Sequence, residues 1–215
     1  MNLTTRSRAG RDFVARHGET VFNAARVLQG EAVHTPLTRA GFAQADAIGR
    51  ALRELLGDRP SLALWCSPAG RALQTMAIVV EHLDLDWRTV RFDPRLVEID
   101  VGSWGGRAYP ELEAEIGPVV LPRGLLGPAP DGEDYPAVAR RLSSWLDDTH
   151  GDAGDRLIAM HGISSRVMRG MMTGLADDPT HGAPIVDGLP QGSVALIADG
   201  RETVAHLGAG RAPAS

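Results

Sequence analysis

Phe13-Val14-Ala15-Arg16-His17-Gly18 is a short apolar run that ends on Arg-His-Gly, and Leu157-Ile158-Ala159-Met160-His161-Gly162 repeats the plan. Runs of this length bounded by glycine read as buried strands, each delivering a histidine to the start of a helix. Strands are therefore expected at Asp12 to Arg16 and Arg156 to Met160, and further runs mark Leu62 to Cys66, roughly Arg95 to Ile99, and Ser193 to Ala198. Segments of helical period alternate with them, which predicts an α/β domain: a three-layer α/β/α sandwich on a mainly parallel sheet. Asp199-Gly200, between the runs at 194–198 and 203–207, predicts a hairpin that adds an antiparallel edge strand.

The helices carry their own signals. Thr38 to Leu56 sets Phe42, Ala45, Ile48, Leu52 and Leu55 near one face and stops at Gly57. Tyr135, Val138, Leu142, Trp145 and Leu146 form a second such face behind Asp134, a helix-capping residue type. Ser67-Pro68 predicts a helix from Pro68 towards His82, with Ser67 as the cap. The Gly/Pro-rich stretch from Gly117 to Gly132 breaks the period and reads as a loop over a site, with Arg123 in it as a solvated arginine.

Length and composition bound the answer. A chain of 215 residues with 43% hydrophobic content suits one catalytic domain, expected at 11–208 between tails at 1–10 and 209–215. Net charge of -5 argues against a general nucleic-acid or membrane-surface partner, so any anion site must be locally basic. One cysteine, Cys66, with no secretory signal and no apolar stretch of spanning length, fits a cytoplasmic location. A homo-oligomer is compatible with the sequence.

In an open α/β sheet, ligands collect beyond the carboxyl ends of the strands. Both His-Gly pairs, Ser67 to Arg71, and Glu98 lie there. A neutral imidazole held through one ring nitrogen can attack phosphorus with the other, provided fixed cations neutralise the phosphoryl oxygens. Arg16 and Arg71 supply that charge, His161 a further donor, and the helix N-termini a favourable field. No HExxH or other metal-ligand spacing is present, so neither metal nor cofactor is expected. Cys66 and Arg71 are separated by four residues, one fewer than the loop of cysteine phosphatases. There is no G-x-S-x-G elbow and no P-loop.

Taken in order, the motifs resemble the histidine phosphatase superfamily, which includes the phosphoglycerate mutase-like enzymes. The resemblance rests on Arg16-His17-Gly18-Glu19-Thr20 with Asn23, Gln29-Gly30, Pro36-Leu37-Thr38 with Gly41 and Gln44, and Ser67-Pro68 with Arg71-Ala72 and Gln74-Thr75. It continues through Leu96-Val97-Glu98, Gly102 with Trp104, Gly132-Glu133 and His161-Gly162. It implies a phosphoglycerate mutase-like fold in which His17 becomes phosphohistidine and Arg16, Arg71 and His161, with Asn23 nearby, bind the phosphoryl group. Glu98 would protonate the leaving alcohol, and Gln29 and Gly30 would border the substrate. Departures include Gly105, where many relatives have Glu, and Asp134, where Ser is common.

The expected function is a metal-independent phosphatase acting on a small phosphorylated metabolite. Absence of the Glu-Arg-His-Tyr-Gly segment familiar in many mutases favours hydrolysis over the alternative, a phosphoglycerate mutase. A non-catalytic phospholigand-binding protein is the second alternative, although the nucleophile, both arginines and the acid are all present. Taken alone, each residue has a plainer role: a strand-end histidine for His17, a pairing with Arg95 for Glu98, a backbone contact for Asn23.

Overall fold

The computed structural model describes residues 8–211. In chain order the main elements are β1 (Asp12–Arg16), α1 (Val21–Ala25), α2 (Arg39–Leu56), β2 (Leu62–Cys66), α3 (Gly70–His82), β3 (Arg91–Phe92), α4 (Tyr109–Ile116), β4 (Val120–Leu121), β5 (Leu125–Leu126), α5 (Tyr135–Asp148), β6 (Asp155–Met160), α6 (Gly162–Met172), β7 (Val194–Ala198) and β8 (Arg201–His206). Six strands form one sheet in the order β3-β2-β6-β1-β7-β8. The first four are mutually parallel, and β7 and β8 are antiparallel at one edge.

Alternation along the central strands builds the three layers. Phe13, Ala15, Leu157 and Ala159 face Ile48 and Leu52 of α2 and Met76 and Val79 of α3. Val14, Ile158 and Met160 face the opposite way, into a core with Val138, Leu142 and Trp145 of α5 and Val167 and Met168 of α6. A one-residue slip would exchange these two sets, so the register fixes which side each helix covers.

The helix signals hold in part. Asp134 accepts from the Ala137 N–H across 2.7 Å at the start of α5, and Thr38 accepts from Gly41 across 3.0 Å at the start of α2. Phe42 and Leu55, expected on the buried face of α2, are 43% and 49% exposed and lie beyond its covered stripe. Asp199 and Gly200 both have positive φ, as the tight turn between β7 and β8 requires.

Two expectations are corrected. No strand forms at Arg95 to Ile99: Asp93 accepts from the Arg95 N–H across 2.8 Å and Pro94 fixes the next φ, so the chain makes a 3-10 turn at Pro94–Leu96. The strand on β2 is instead the two-residue β3 just before that turn. The helix after Ser67 starts at Gly70, capped by Ala69 with no side-chain bond. Ser67 Oγ accepts from the Ala69 N–H across 3.4 Å, ahead of the helix rather than within its first turn.

Residues 1–7 and 212–215 of the expected tails lie outside the described residues. Arg8 is buried, paired with Asp12 across 2.8 Å and bonded to the carbonyls of Asp152 and Gly154. Among the described residues, no helix is long and apolar enough to cross a membrane.

Candidate active site

Three parallel strands end side by side, and their ladder continues one residue past each. His17 N–H donates to the Met160 carbonyl across 3.1 Å and Ser67 N–H to the Ala159 carbonyl across 2.9 Å. These bonds align His17, Ser67 and His161 at one sheet edge. Gly18 and Gly41 let the start of α2 close over this row, because a Cβ on Gly18 would lie 2.3 Å from the Gly41 carbonyl oxygen and one on Gly41 would lie 2.0 Å from that of Glu19.

The two imidazoles hold opposite tautomers. A carbonyl only accepts, so the 2.7 Å contact from His17 Nδ1 to Gly18 O places the proton on Nδ1 and leaves the Nε2 lone pair free. Arginine only donates, so the 3.1 Å bond from Arg71 Nε makes His161 Nδ1 the acceptor and puts the proton on Nε2. That N–H donates to Ser67 Oγ across 2.7 Å. The rings meet edge to face with centroids 5.2 Å apart. Burial, reinforced by the Arg71 charge, holds both well below the ordinary imidazole pKa of 6.5, so both are neutral at pH 7.

In front of His17 is a cavity of about 200 Å³. Of the eight residues assigned from the sequence, Arg16, His17, Asn23, Gln29, Gly30, Arg71 and Glu98 line it. His161 is fully buried outside that lining. Direct donation from His161 to a phosphoryl oxygen requires its N–H to leave Ser67.

Arg71 is buried, which lowers its pKa to about 10 against the raising influence of Glu98. Its terminal nitrogens donate to the carbonyls of Ala32 and Gly30 across 2.6 and 2.8 Å and to Thr35 Oγ1 across 2.9 Å. It therefore fixes the 29–35 loop as well as facing the cavity. Arg16 donates to the Leu189 carbonyl, and its Nε is buried without a partner. A Cβ on Gly162 would stand 3.2 Å from the Arg16 guanidinium, so glycine at this helix start gives that group room.

Glu98 is the one carboxylate lining the cavity among the described residues, and it shares that lining with five arginines: Arg16, Arg26, Arg71, Arg166 and Arg211. It accepts from the backbone N–H groups of Ile99, Ile163 and Ser164 at 3.0, 3.1 and 2.9 Å. Two of the free N–H groups at the start of α6, those of Ile163 and Ser164, meet Glu98. Arg95 pairs with Asp93 and Asp148, so it does not neutralise Glu98. Arg141 of α5 holds this segment from behind through the carbonyls of Arg95 and Glu98.

Asn23 and Gln29 turn their carbonyl oxygens to Thr20, at 3.0 and 2.8 Å from its hydroxyl. Thr20 has one hydroxyl proton and so donates to only one of these two oxygens at a time. Four residues without an assigned site role in the sequence reading also belong to this region. Ser67 holds His161, Thr75 accepts from Gly18 N–H across 3.1 Å, and Gln191 and Arg166 line the cavity. The loop arginine Arg123 is not free: it joins the 117–132 loop to Asp178, Asp187 and the Ile185 carbonyl.

Among the described residues, no group of three or more His, Cys, Asp or Glu side chains could hold a metal ion. The charge available to a bound anion here is arginine charge.

Comparison with known proteins agrees with this arrangement. The family model of the histidine phosphatase superfamily (branch 1) matches residues 13–205. The probable phosphoglycerate mutase GpmB of Yersinia pestis (strain Pestoides F) is 31% identical over 174 residues, covering 79% of this chain and 76% of that protein. The mycobacterial glucosyl-3-phosphoglycerate phosphatase in complex with VO3 superposes with a TM-score of 0.75 at 24% identity, covering 91% of this chain and 97% of that one. TTHB049 from Thermus thermophilus superposes with a TM-score of 0.63 at 26% identity, over 90% and 96% of the two chains.

Proposed function

The chain belongs to the histidine phosphatase superfamily, and on that premise we propose that it is a metal-independent phosphomonoester hydrolase working through a phosphohistidine on His17. The observation that carries this reading is the Nδ1–H bond from His17 to the Gly18 carbonyl, which fixes a neutral imidazole with Nε2 free beside Arg16 and Arg71.

In the first step the His17 Nε2 lone pair attacks phosphorus while the ester P–O bond breaks. Arg16 and Arg71 neutralise the non-bridging oxygens, and Glu98 gives its proton to the departing alkoxide. In the second step water attacks phosphorus, the P–N bond breaks back to His17, and the Glu98 carboxylate takes the proton of the attacking water. Inorganic phosphate leaves. His161 and Ser67 hold Arg71 and the base of the site in place, and the amide nitrogens of Asn23 and Gln29 border the substrate beside Gly30.

The substrate in this reading is a small phosphorylated metabolite, matched to a cavity of about 200 Å³. The location proposed is cytoplasmic, in keeping with a single, unpaired Cys66. A phosphoglycerate mutase is the second reading, favoured by the name of the 31% identical relative. It would use the same first step and return the phosphoryl group to substrate.

The test is a phosphate-release screen over sugar phosphates, phosphoglycerates, nucleotides and phosphopeptides with chelator present, beside an assay of 2,3-bisphosphoglycerate-dependent isomerisation. Phosphate release unaffected by chelator is expected. Isomerisation without release would establish the mutase, and bound phospholigand with no phosphohistidine would establish the binding protein.

A further inference from the structure

The chain has two tyrosines, and both pack into the core on the α5 and α6 side of the sheet. Tyr135 gives its hydroxyl to the β5 backbone, accepting from the Leu126 N–H across 2.9 Å and donating to the Leu126 carbonyl across 3.1 Å. Tyr109 lines the cavity with His17 and Glu98, and its hydroxyl makes no hydrogen bond among the described residues. A phenol packed this way usually has a partner, so an unpaired one in a reaction cavity points to a partner that arrives with the reaction.

The backbone fixes where that side chain stands. Tyr109 is the first residue of α4, and its N–H donates to the Arg26 carbonyl across 2.9 Å. Ala108 forms an antiparallel bridge with Val27, and the Arg107 carbonyl accepts from the Leu28 N–H across 2.9 Å. Arg26, Val27 and Leu28 line the cavity themselves, so Tyr109 is clamped to its wall. Burial and, after it, the Glu98 charge push its pKa up to about 12, against Arg16 and Arg26. The phenol is therefore neutral at pH 7, able both to accept and to donate.

We propose that Tyr109 orients the water that hydrolyses the phosphohistidine, and so directs the phosphoryl group to water rather than to an alcohol. Three backbone N–H groups fix the direction of the Glu98 carboxylate. The water gives one hydrogen to Glu98, and its second hydrogen, bonded to the Tyr109 oxygen, aims the lone pair at phosphorus. The O–P bond forms as the P–Nε2 bond to His17 breaks, one proton passes to Glu98, and the phenol keeps its own. An alcohol has a single O–H, which Glu98 takes, so it gains nothing from Tyr109.

The assignment rests on the phosphohistidine reading above, and p-nitrophenyl phosphate separates the two ideas. Its leaving group needs no proton, so the burst of p-nitrophenol reports formation of the phosphohistidine alone. Rapid quenching then follows decay of the phosphohistidine, in water and with glycerol added as a competing acceptor. Tyr109→Phe should slow decay in water by about tenfold, the loss of one hydrogen bond, and change the burst rate by at most about twofold. With glycerol present, the ratio of glycerol phosphate to inorganic phosphate should rise several-fold over wild type.

A purely structural role would slow burst and decay alike and leave that ratio intact. The inference is overturned by that result, or by a Tyr109→Phe phosphohistidine that decays at the wild-type rate. If the wild type turns over without a phosphohistidine, the reading beneath the inference falls and the inference with it. A wild-type phosphohistidine together with either of the first two results sinks the inference alone.

Discussion

Arg71 Nε donates to His161 Nδ1 across 3.1 Å, and this one bond sets the protonation of the second histidine while anchoring the arginine that also holds the 29–35 loop. Lysine cannot reproduce it, because its single ammonium has no planar fork to span His161 and three loop acceptors. Arg71→Lys should lower kcat/KM about 100-fold or more and speed amide exchange across residues 30–35. Exchange unchanged from wild type would show that the loop does not depend on this side chain.

Both buried imidazoles are held well below 6.5, whereas in the unfolded chain they titrate near that value. As pH falls from about 6.5, the unfolded state gains protons that the native state does not, so stability falls until the native imidazoles themselves protonate. Each contributes up to about 1.4 kcal/mol per pH unit. In denaturant titrations between pH 6 and 5, His17→Asn should show a slope smaller by about one proton. The same lowered value predicts that kcat/KM loses nothing near pH 6.5 to protonation of His17.

Glu98 accepts three backbone N–H groups, two of them from the start of α6. Glu98→Gln keeps one oxygen for the N–H groups that Oε1 accepts but sets an NH2 in place of Oε2, 3.0 Å from the Ile163 N–H, and should cost about 1 to 3 kcal/mol of stability. Its kinetic signature is separate. Alkyl phosphates, whose leaving groups need a proton, should lose about 100-fold or more in kcat, and activated aryl phosphates much less. Equal losses on both classes would remove Glu98 from the acid role.

Gly162→Ala places a methyl 3.2 Å from the Arg16 guanidinium at a helix start that tolerates alanine. Stability should hold or rise by a few tenths of a kcal/mol. KM for phosphate esters should rise several-fold as Arg16 is displaced. A variant with unchanged KM would mean that Arg16 has slack in its seat.

The central strands and the site were legible in the sequence because single residues carry heavy constraints there. Arg16-His17-Gly18 and His161-Gly162 mark strand ends, and parallel strands must end at one sheet edge. Two-residue strands such as β3, β4 and β5 show no alternation to read, and the Asp93-Pro94 turn replaced an expected strand with a local side-chain bond. Ser67 has the chemistry of a helix cap, so only the approach of His161 from a distant strand reveals its partner. Arg166 was invisible for a different reason. Most of α6 is buried, arginines included, so no polar face marks which residue meets the cavity.

The central claim is that His17 Nε2 carries the phosphoryl group. Rapid quenching of the enzyme during turnover, followed by peptide mapping at alkaline pH, tests it most directly. The expected result is one acid-labile, base-stable phosphoryl group on His17, at Nε2 because Nδ1 is bound to the Gly18 carbonyl. A phosphoryl group on Nδ1 or on any other residue, or near-wild-type turnover by His17→Ala, would contradict it.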